Sequence, residues 1–455
     1  MKNIEKKKKM YIKTYGCQMN VYDSDKMLDL MIPHGFVEEK NFKDADLIIL
    51  NTCHIREKAA EKVYSDLGRI APIKKKAMKS GRKIKIVVAG CVAQAEGREI
   101  IKRQPAVDIV VGPQTYHKLP EFLFNSDKVS KSVVHTEFPV ESKFDEIKIN
   151  RILNNPVSFL SIQEGCNKFC SFCVVPYTRG AEYSRPGLDV LEEAKSLIRK
   201  GAKEICLLGQ NVNAYHGQVG NKLWTLSRLI KEIAEIEGLR RIRYTTSHPS
   251  DMDEELIKAH GEVGALMPYL HLPVQSGDDD VLKSMNRKYT VETYKTIIEK
   301  LRTVCPDIAL SSDFIVGFPG ESDKAFDKTI KLVKEIYFSQ AYSFKYTRRP
   351  GTPGSIMKRQ VSEKIKSKRL LALQKILNDQ QLFFNMSFLN SKLEVLLERK
   401  GKYKNQLLGR SPYMQAIHVT DPSIALGQFI DVTIAEATKN SLRGNLIAIN
   451  KRGMN

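Results

Sequence analysis

The sequence predicts an α/β protein in three parts: an N-terminal parallel α/β domain, a central β/α barrel, partial or complete, and a small C-terminal antiparallel β-barrel. Three observations predict it. Over residues 10–125 apolar strand-like runs alternate with helical stretches, the pattern of a parallel sheet covered by helices. Over 156–380 strand and helix alternate six times, which fits a β/α barrel with its chemistry on the loops after the strands. From 384 to 455 short alternating runs appear, punctuated by Gly and Pro, as in a small antiparallel barrel. The expected domains are 10–125, 150–382 and 384–452.

In the first part the strand candidates are Met10–Tyr15, Leu47–Asn51, Ile84–Ala89 and Val107–Val111, with helical patterns such as Ser24–Ile32 and Ile55–Ile70 between them. Residues 125–155 lack periodicity and contain the polar run Asn125–Ser132, which reads as a linker. The second part offers Phe159–Gln163, Glu204–Leu208, Arg241–Thr245, Tyr269–Leu272, Ile308–Phe314 and Ala341–Tyr346. After these come the loops EGCNKFCSFC, LGQNVNAY, TTSHP, HLPVQSG, IVGFPGE and YTRRPGT. The third part offers Leu393–Glu398, Gln406–Arg410, Gln415–His418, Phe429–Ala435 and Asn445–Asn450.

Charge and cysteine content narrow the function. The 455 residues carry 73 Lys plus Arg against 52 Asp plus Glu, a net +21. That balance favours a polyanionic partner, although the tract Lys6–Lys9 reads equally as a solvated tail. The start lacks an apolar signal core and carries Glu5, and no run approaches the roughly 20 apolar residues of a membrane span. The expected location is therefore the cytoplasm, with no membrane partner. In that reducing compartment eight cysteines point to metal or redox chemistry rather than disulfides.

Six of the cysteines form two sets. Cys17 in YGCQMN, Cys53 in NTCHIRE and Cys91 in AGCVAQ each follow a predicted strand. In a parallel sheet all three lie along one edge, where open α/β folds place their sites. One such cysteine alone would most often be a small buried hydrophobe. Cys166, Cys170 and Cys173 form a CxxxCxxC run on one loop. Three thiolates there can hold three irons of a cubane cluster, which would leave the fourth open to a non-protein ligand. Zinc is the alternative, but structural zinc sites close with four Cys or His ligands, and no His lies in this loop. Cys206 lies within an apolar strand and Cys305 precedes Pro306, so both read as structural.

CNKFCSFC resembles the cluster motif of the radical S-adenosylmethionine superfamily, and the whole chain resembles its methylthiotransferases. The resemblance runs through YGCQMN, NTCHIREKAAEKV, AGCVAQ, EGCNKFCSFCVVPYTRG, LGQNVNAY, TTSHP, HLPVQSG, SSDFIVGFPGE and RPGTP. It ends in GRSPYMQAIHV, in a segment similar to the TRAM-type RNA-binding domain. GCQMN and NTC-x-IREKA most resemble the branch acting on N6-dimethylallyladenosine beside the tRNA anticodon.

The resemblance implies two [4Fe–4S] clusters, held by Cys166, Cys170 and Cys173 and by Cys17, Cys53 and Cys91. The first would bind S-adenosylmethionine and yield a radical that takes hydrogen from adenine C2. The second is implicated in sulfur delivery, with a second S-adenosylmethionine giving the methyl group. An electron donor such as flavodoxin or ferredoxin, a sulfur source and tRNA are the implied partners. A monomer is allowed, and the oligomeric state stays open. Threonylcarbamoyl-adenosine, a ribosomal-protein aspartate, and a non-enzymatic RNA-binding or electron-carrying role are the alternatives.

The same resemblance puts the backbone of Phe172 against the cofactor's adenine. Gly209, Gln210 and Asn211, Gln275, and the loop Gly317, Phe318, Pro319, Gly320 and Glu321 follow strands and are candidate cofactor contacts; plain turns are the alternative. His248 and His271 read as structural, because radical hydrogen abstraction needs no general base. Between Lys345 and Lys375 ten Lys or Arg stand against one acid, Glu363, a candidate phosphate-contact stretch, with Lys74–Lys85 as an outer wing. Tyr403, Tyr413 and Phe429 are candidate stacking surfaces, with barrel-core packing expected for at least one.

Overall fold

The computed structural model describes residues 7–53, 57–126, 132–139, 143–144 and 155–450, with 57–60 as backbone only. His54, Lys6 and most of the polar run Asn125–Ser132 lie outside the described residues. The described residues form two compact units. One holds the described residues before 145 together with Val174–Glu182; the other holds the remainder.

Among the described residues, the first unit is a six-stranded parallel sheet in the order β2-β1-β3-β4-β5-β6. Its strands are β1 (Lys8–Thr14), β2 (Phe36–Glu38), β3 (Leu47–Thr52), β4 (Lys85–Gly90), β5 (Ile109–Val111) and β6 (Val133–His135). Strand alternation divides the apolar runs between two cores. Ile48, Leu50, Ile86 and Val88 go to one, Leu47, Ile49, Val87 and Ala89 to the other. The four anticipated strands are present. β2 and β6 are additional, each three residues long, too short for periodicity to announce. β6 corrects the linker expectation: Val133 N–H bonds Asp108 O at 2.9 Å and extends the sheet. The helix Gln18–Met31 starts ahead of the anticipated Ser24, and Glu57–Lys79 runs past Ile70 through Pro72.

The second unit begins with β7 (Val157–Ser161) and β8 (Gln163–Glu164), the latter paired with β9 (Tyr183–Ser184). β10 (Glu204–Leu208) follows, then the hairpin β11 (His216–Val219) and β12 (Lys222–Thr225), then β13 (Arg241–Thr245). β14 (Tyr269–His271), β15 (Ala309–Val316) and β16 (Gln340–Lys345) complete the set. The six anticipated strands form parallel trios, β13-β10-β7 and β14-β15-β16, joined through an Ile242–Leu266 bridge. No pairing of β16 with β7 closes the ring among the described residues, so the barrel is partial.

The C-terminal strands β17 (Lys392–Lys400), β18 (Gln406–Arg410), β19 (Ala416–Thr420), β20 (Phe429–Ala437) and β21 (Leu442–Asn450) close a barrel in the order β17-β18-β19-β21-β20. Val395, Leu397, Ile417, Val419, Ile430 and Val432 fill it. It docks on β13 through buried arginines. Arg241 donates to Arg410 O at 2.8 Å and Glu394 Oε1 at 3.1 Å. Arg243 donates to Glu204 Oε1 at 3.0 Å and to Ser411 O and Pro412 O, each at 2.8 Å. Two of the candidate RNA-contact residues of the 345–375 stretch are buried and occupied elsewhere. Lys366 Nζ bonds Tyr346 O at 3.0 Å, and Arg369 bonds Glu321 Oε2 at 2.7 Å and Asp323 Oδ1 at 2.8 Å. Both are buried and anchor the helix Glu363–Met386. Phe429 is the aromatic that packs: it is buried with Arg240 and Arg241 over its ring, at 4.3 and 5.0 Å. Tyr413 is half-buried against Phe384 and Phe388, while Tyr403 is exposed.

Glu398 sits 3.8 Å from Arg410 at this junction, and burial raises its carboxyl to about 7. The folded protein then holds a proton that the unfolded chain releases at its usual 4.5, so stability falls as pH rises through that window. Glu398→Gln is predicted to remove this slope and to be more stable near pH 8 by about 1–3 kcal/mol. Urea unfolding across pH reads it out; equal slopes in both proteins would contradict it.

Candidate cluster and cofactor sites

The first unit gathers three thiols at the carboxyl ends of neighbouring strands. Cys17 caps the helix after β1, Cys53 follows β3, and Cys91 opens the helix Cys91–Glu96 after β4. Two glycines make the approach possible. Gly16 sits at φ +130 and Gly90 at φ +90. A Cβ on Gly16 would lie 2.2 Å from Cys53 Cβ, and one on Gly90 would lie 2.5 Å from Thr52 O. Buried Asn20 and Asn51 lace the strand ends: Asn20 Nδ2 donates to Asn51 Oδ1 and Thr52 O, and Asn51 Nδ2 returns to Asn20 O at 2.8 Å. A hydrogen bond with Cys53, helped by Arg179, draws the Cys17 thiol below its usual range despite burial, whereas burial dominates and raises Cys91. Arg179 bonds the Cys91 thiol and is held by Asp23 Oδ2 at 2.6 Å.

The second unit carries the other set on the loop after β8. Phe169 there adopts φ +49, a left-handed conformation uncommon for a bulky residue. Segment 284–289 clamps this loop. Asn286 Nδ2 donates to Lys168 O and Phe169 O, both at 3.0 Å. Ser171 N–H donates to Met285 O at 3.0 Å and its hydroxyl to Ser284 O at 2.9 Å. Arg287 Nη1 reaches Cys170 Sγ at 3.5 Å. Cys206 is buried in β10, which pushes its thiol up to about 12, and Cys305 caps a helix end; neither joins a set.

The cofactor candidates fall into two groups. Gly209, Gln210 and Asn211 are tied to the cysteine loop through Gln163. Its Oε1 accepts from Gln210 N–H at 2.8 Å and Asn211 N–H at 3.1 Å, and its Nε2 donates to Gly165 O at 2.8 Å. Gln210 Oε1 in turn accepts from Gly165 N–H at 2.7 Å. Phe172 and Phe318 pack together with Tyr346 and Ile315. Gly317, at φ +72, spends its N–H on Glu321 Oε2 at 2.6 Å, and Gly320 N–H bonds Arg359 O at 2.7 Å. Gln275 holds φ +73 and bonds Asp313 O at 2.9 Å; such strain in a polar residue is common at ligand sites.

His248 is buried and kept neutral, chiefly by that burial and further by Arg287 and Lys168. Asn211 Oδ1, Ser247 Oγ and His248 Nε2 are buried without a protein partner. Unpaired buried polar atoms are costly, and these three sit in adjoining loops at the carboxyl ends of β10 and β13. The site therefore fits a polar ligand such as S-adenosylmethionine. Among the described residues no three His, Cys, Asp or Glu side chains have the geometry of a single-ion site. Single zinc ions need donors converging on one point, whereas a cubane takes each thiolate on a different iron. Gln163, Asn20, Asn51, Arg179 and the 284–289 clamp were not singled out from sequence, since their roles arise from contacts across distant segments.

Three family matches tile the chain. Residues 9–112 match the uncharacterized protein family UPF0004, 160–333 the radical SAM superfamily, and 387–447 the TRAM domain. The tRNA-2-methylthio-N(6)-dimethylallyladenosine synthase of Maricaulis maris is 54% identical over 97% of this chain and 97% of its own. That of Wolbachia sp. subsp. Brugia malayi is 56% identical over 96% of this chain and 99% of its own. This chain belongs to that synthase family. The radical S-adenosylmethionine methyltransferase TsrM from Kitasatospora setae, solved with cobalamin and a [4Fe-4S] cluster, matches with a TM-score of 0.56 at 13% identity over 77% of each chain. That likeness is one of fold.

A Cβ on Gly209 would lie 2.6 Å from Gln163 Oε1 and 3.0 Å from Val212 Cα. Gly209→Ala is predicted to push Gln163 off its amide partners and cost about 1–3 kcal/mol. Thermal unfolding tests this, and an unchanged melting temperature would contradict it.

Proposed function

We propose that this protein transfers a methylthio group to C2 of N6-dimethylallyladenosine beside the anticodon of tRNA. The observation that carries the reading is the 54–56% identity, over 96–97% of the chain, to synthases of that name. Cys166, Cys170 and Cys173 would hold one [4Fe–4S] cluster and Cys17, Cys53 and Cys91 the other, neither set having a fourth cysteine. With S-adenosylmethionine bound, the cluster on Cys166, Cys170 and Cys173 would supply radical chemistry for a C–H bond that no side-chain base can ionise, and the protein supplies position and shielding.

The chain's own residues hold and orient. Gly209, Gln210 and Asn211, tied to the cysteine loop through Gln163, would bracket the cofactor on one side. Phe172, Gln275 and the loop Gly317–Phe318–Gly320 would bracket it on the other. Arg348, Lys358, Arg359, Lys364, Lys368 and Lys375 are exposed and suited to RNA phosphates, contacts that position without reading sequence. Exposed Tyr403 on the terminal barrel offers a stacking face. Tyr413 and Phe429, turned into packing, leave that role to it. A one-electron donor such as flavodoxin or ferredoxin, a sulfur source and a cytoplasmic location complete the reading; among the described residues no helix is long and apolar enough to cross a membrane.

Nucleoside mass spectrometry decides the function. In cells lacking their own adenosine methylthiolation, this protein is predicted to convert dimethylallyl-adenosine to its 2-methylthio form, and Cys166→Ala and Cys17→Ala each to abolish conversion. Methylthiolation of threonylcarbamoyl-adenosine instead would move the substrate. No product, with iron loading verified, would defeat the reading.

A further inference from the structure

Six arginines are buried among the described residues: Arg179, Arg185, Arg241, Arg243, Arg287 and Arg369. Five of them lie against a carboxylate: Arg179 on Asp23, Arg185 on Glu193, Arg241 on Glu394, Arg243 on Glu204 and Arg369 on Glu321. Among the described residues Arg287 alone does not. Its hydrogen bonds go to the Tyr289 hydroxyl at 2.9 Å, to Pro273 O at 2.7 Å and to Cys170 Sγ at 3.5 Å. Tyr289 passes the hold on to Val274 O at 2.8 Å, one residue from Gln275. The nearby Asp251 is already engaged by Lys168 at 2.7 Å and Asn211 at 2.9 Å.

A guanidinium stays protonated in proteins, and a buried charge without a counter-charge is strongly unfavourable. Pro273 O carries no charge, and burial raises the Tyr289 phenol so that it stays protonated; the partner left to carry a negative charge is the Cys170 sulfur, as an iron-bound thiolate. Three thiolates on an oxidised four-iron core carrying two positive charges leave one net negative charge. One buried guanidinium matches it.

We infer that Arg287 is the counter-cation of the cluster on Cys166, Cys170 and Cys173, a positioning residue whose N–H to the Cys170 sulfur and whose charge hold the cluster's reduction potential up. This rests on the cysteine assignment proposed above. Reduction adds one electron from an external donor and makes the site more negative, so a fixed cation and a hydrogen bond to sulfur both favour the reduced form. The carboxylate missing from Arg287 is part of the device, because an acid there would cancel the effect.

The test uses full-length protein carrying Cys17→Ala, Cys53→Ala and Cys91→Ala, so that one cluster gives the signal. It is loaded with iron and sulfide and titrated with dithionite under electron paramagnetic resonance. Arg287→Gln is expected to shift the midpoint potential negative of the parent, and Arg287→Lys, which keeps the charge but loses the fork, to fall between them. A folded Arg287→Gln protein that holds no cluster, beside a loaded Arg287→Lys protein, also supports the inference. A fully loaded Arg287→Gln protein with an unchanged midpoint overturns it. So does unfolding of both variants before iron is added, which makes the residue purely structural. A parent that takes up no four-iron cluster brings down the cysteine assignment itself, an outcome recognisable before any Arg287 variant is made.

Discussion

Two sets of three thiols, each without a fourth cysteine beside it among the described residues, are the constraint on which this structure turns. In the first unit the constraint is met by topology. β1, β3 and β4 are neighbours in one parallel sheet, so their carboxyl ends deliver Cys17, Cys53 and Cys91 to a common edge. The glycines before Cys17 and Cys91 exist because a side chain would strike the next strand end. In the second unit the three thiols share one loop, and order is imposed by other segments: Gln163 and Gln210 from one side, residues 284–289 from the other.

Buried charge is the second organising force, and the protein meets it in two ways. At the junction between β13 and the terminal barrel, guanidiniums and carboxylates neutralise one another, and backbone carbonyls of Arg410, Ser411 and Pro412 satisfy the remaining N–H groups. Losing one partner there leaves a buried ion alone, at a cost of about 3–5 kcal/mol, so the junction fixes how the barrel is carried. Arg287 has no such partner among the described residues and faces a thiol. The same residue type thus serves structure where an acid is built beside it and is left for a cofactor where none is.

Much of the fold is legible in the sequence because the strands are apolar runs long enough to show themselves, as in LIILNT and EICLL. β2 and β6 escape because three residues carry no period, and β6 in particular lies in a stretch whose polarity reads as linker. The cysteines are legible because their spacing and their places after strands carry meaning locally. Gln163, Arg179 and Arg287 are not, since each acts on a residue far away in sequence: Arg287 touches Cys170 across more than a hundred positions. Lys366 and Arg369 mislead for the same reason. Composition shows a basic helix, and only the packing shows that Tyr346 O and Glu321 consume those two charges.

The most direct test of the two-set account is iron and sulfide analysis with Mössbauer spectroscopy on anaerobically reconstituted protein. The account predicts about eight irons per chain as [4Fe–4S] clusters, falling to about four when either cysteine set is replaced by alanine and unchanged in Cys206→Ser. A single cluster whose loss follows substitutions in only one set, or zinc bound in place of iron, would contradict it.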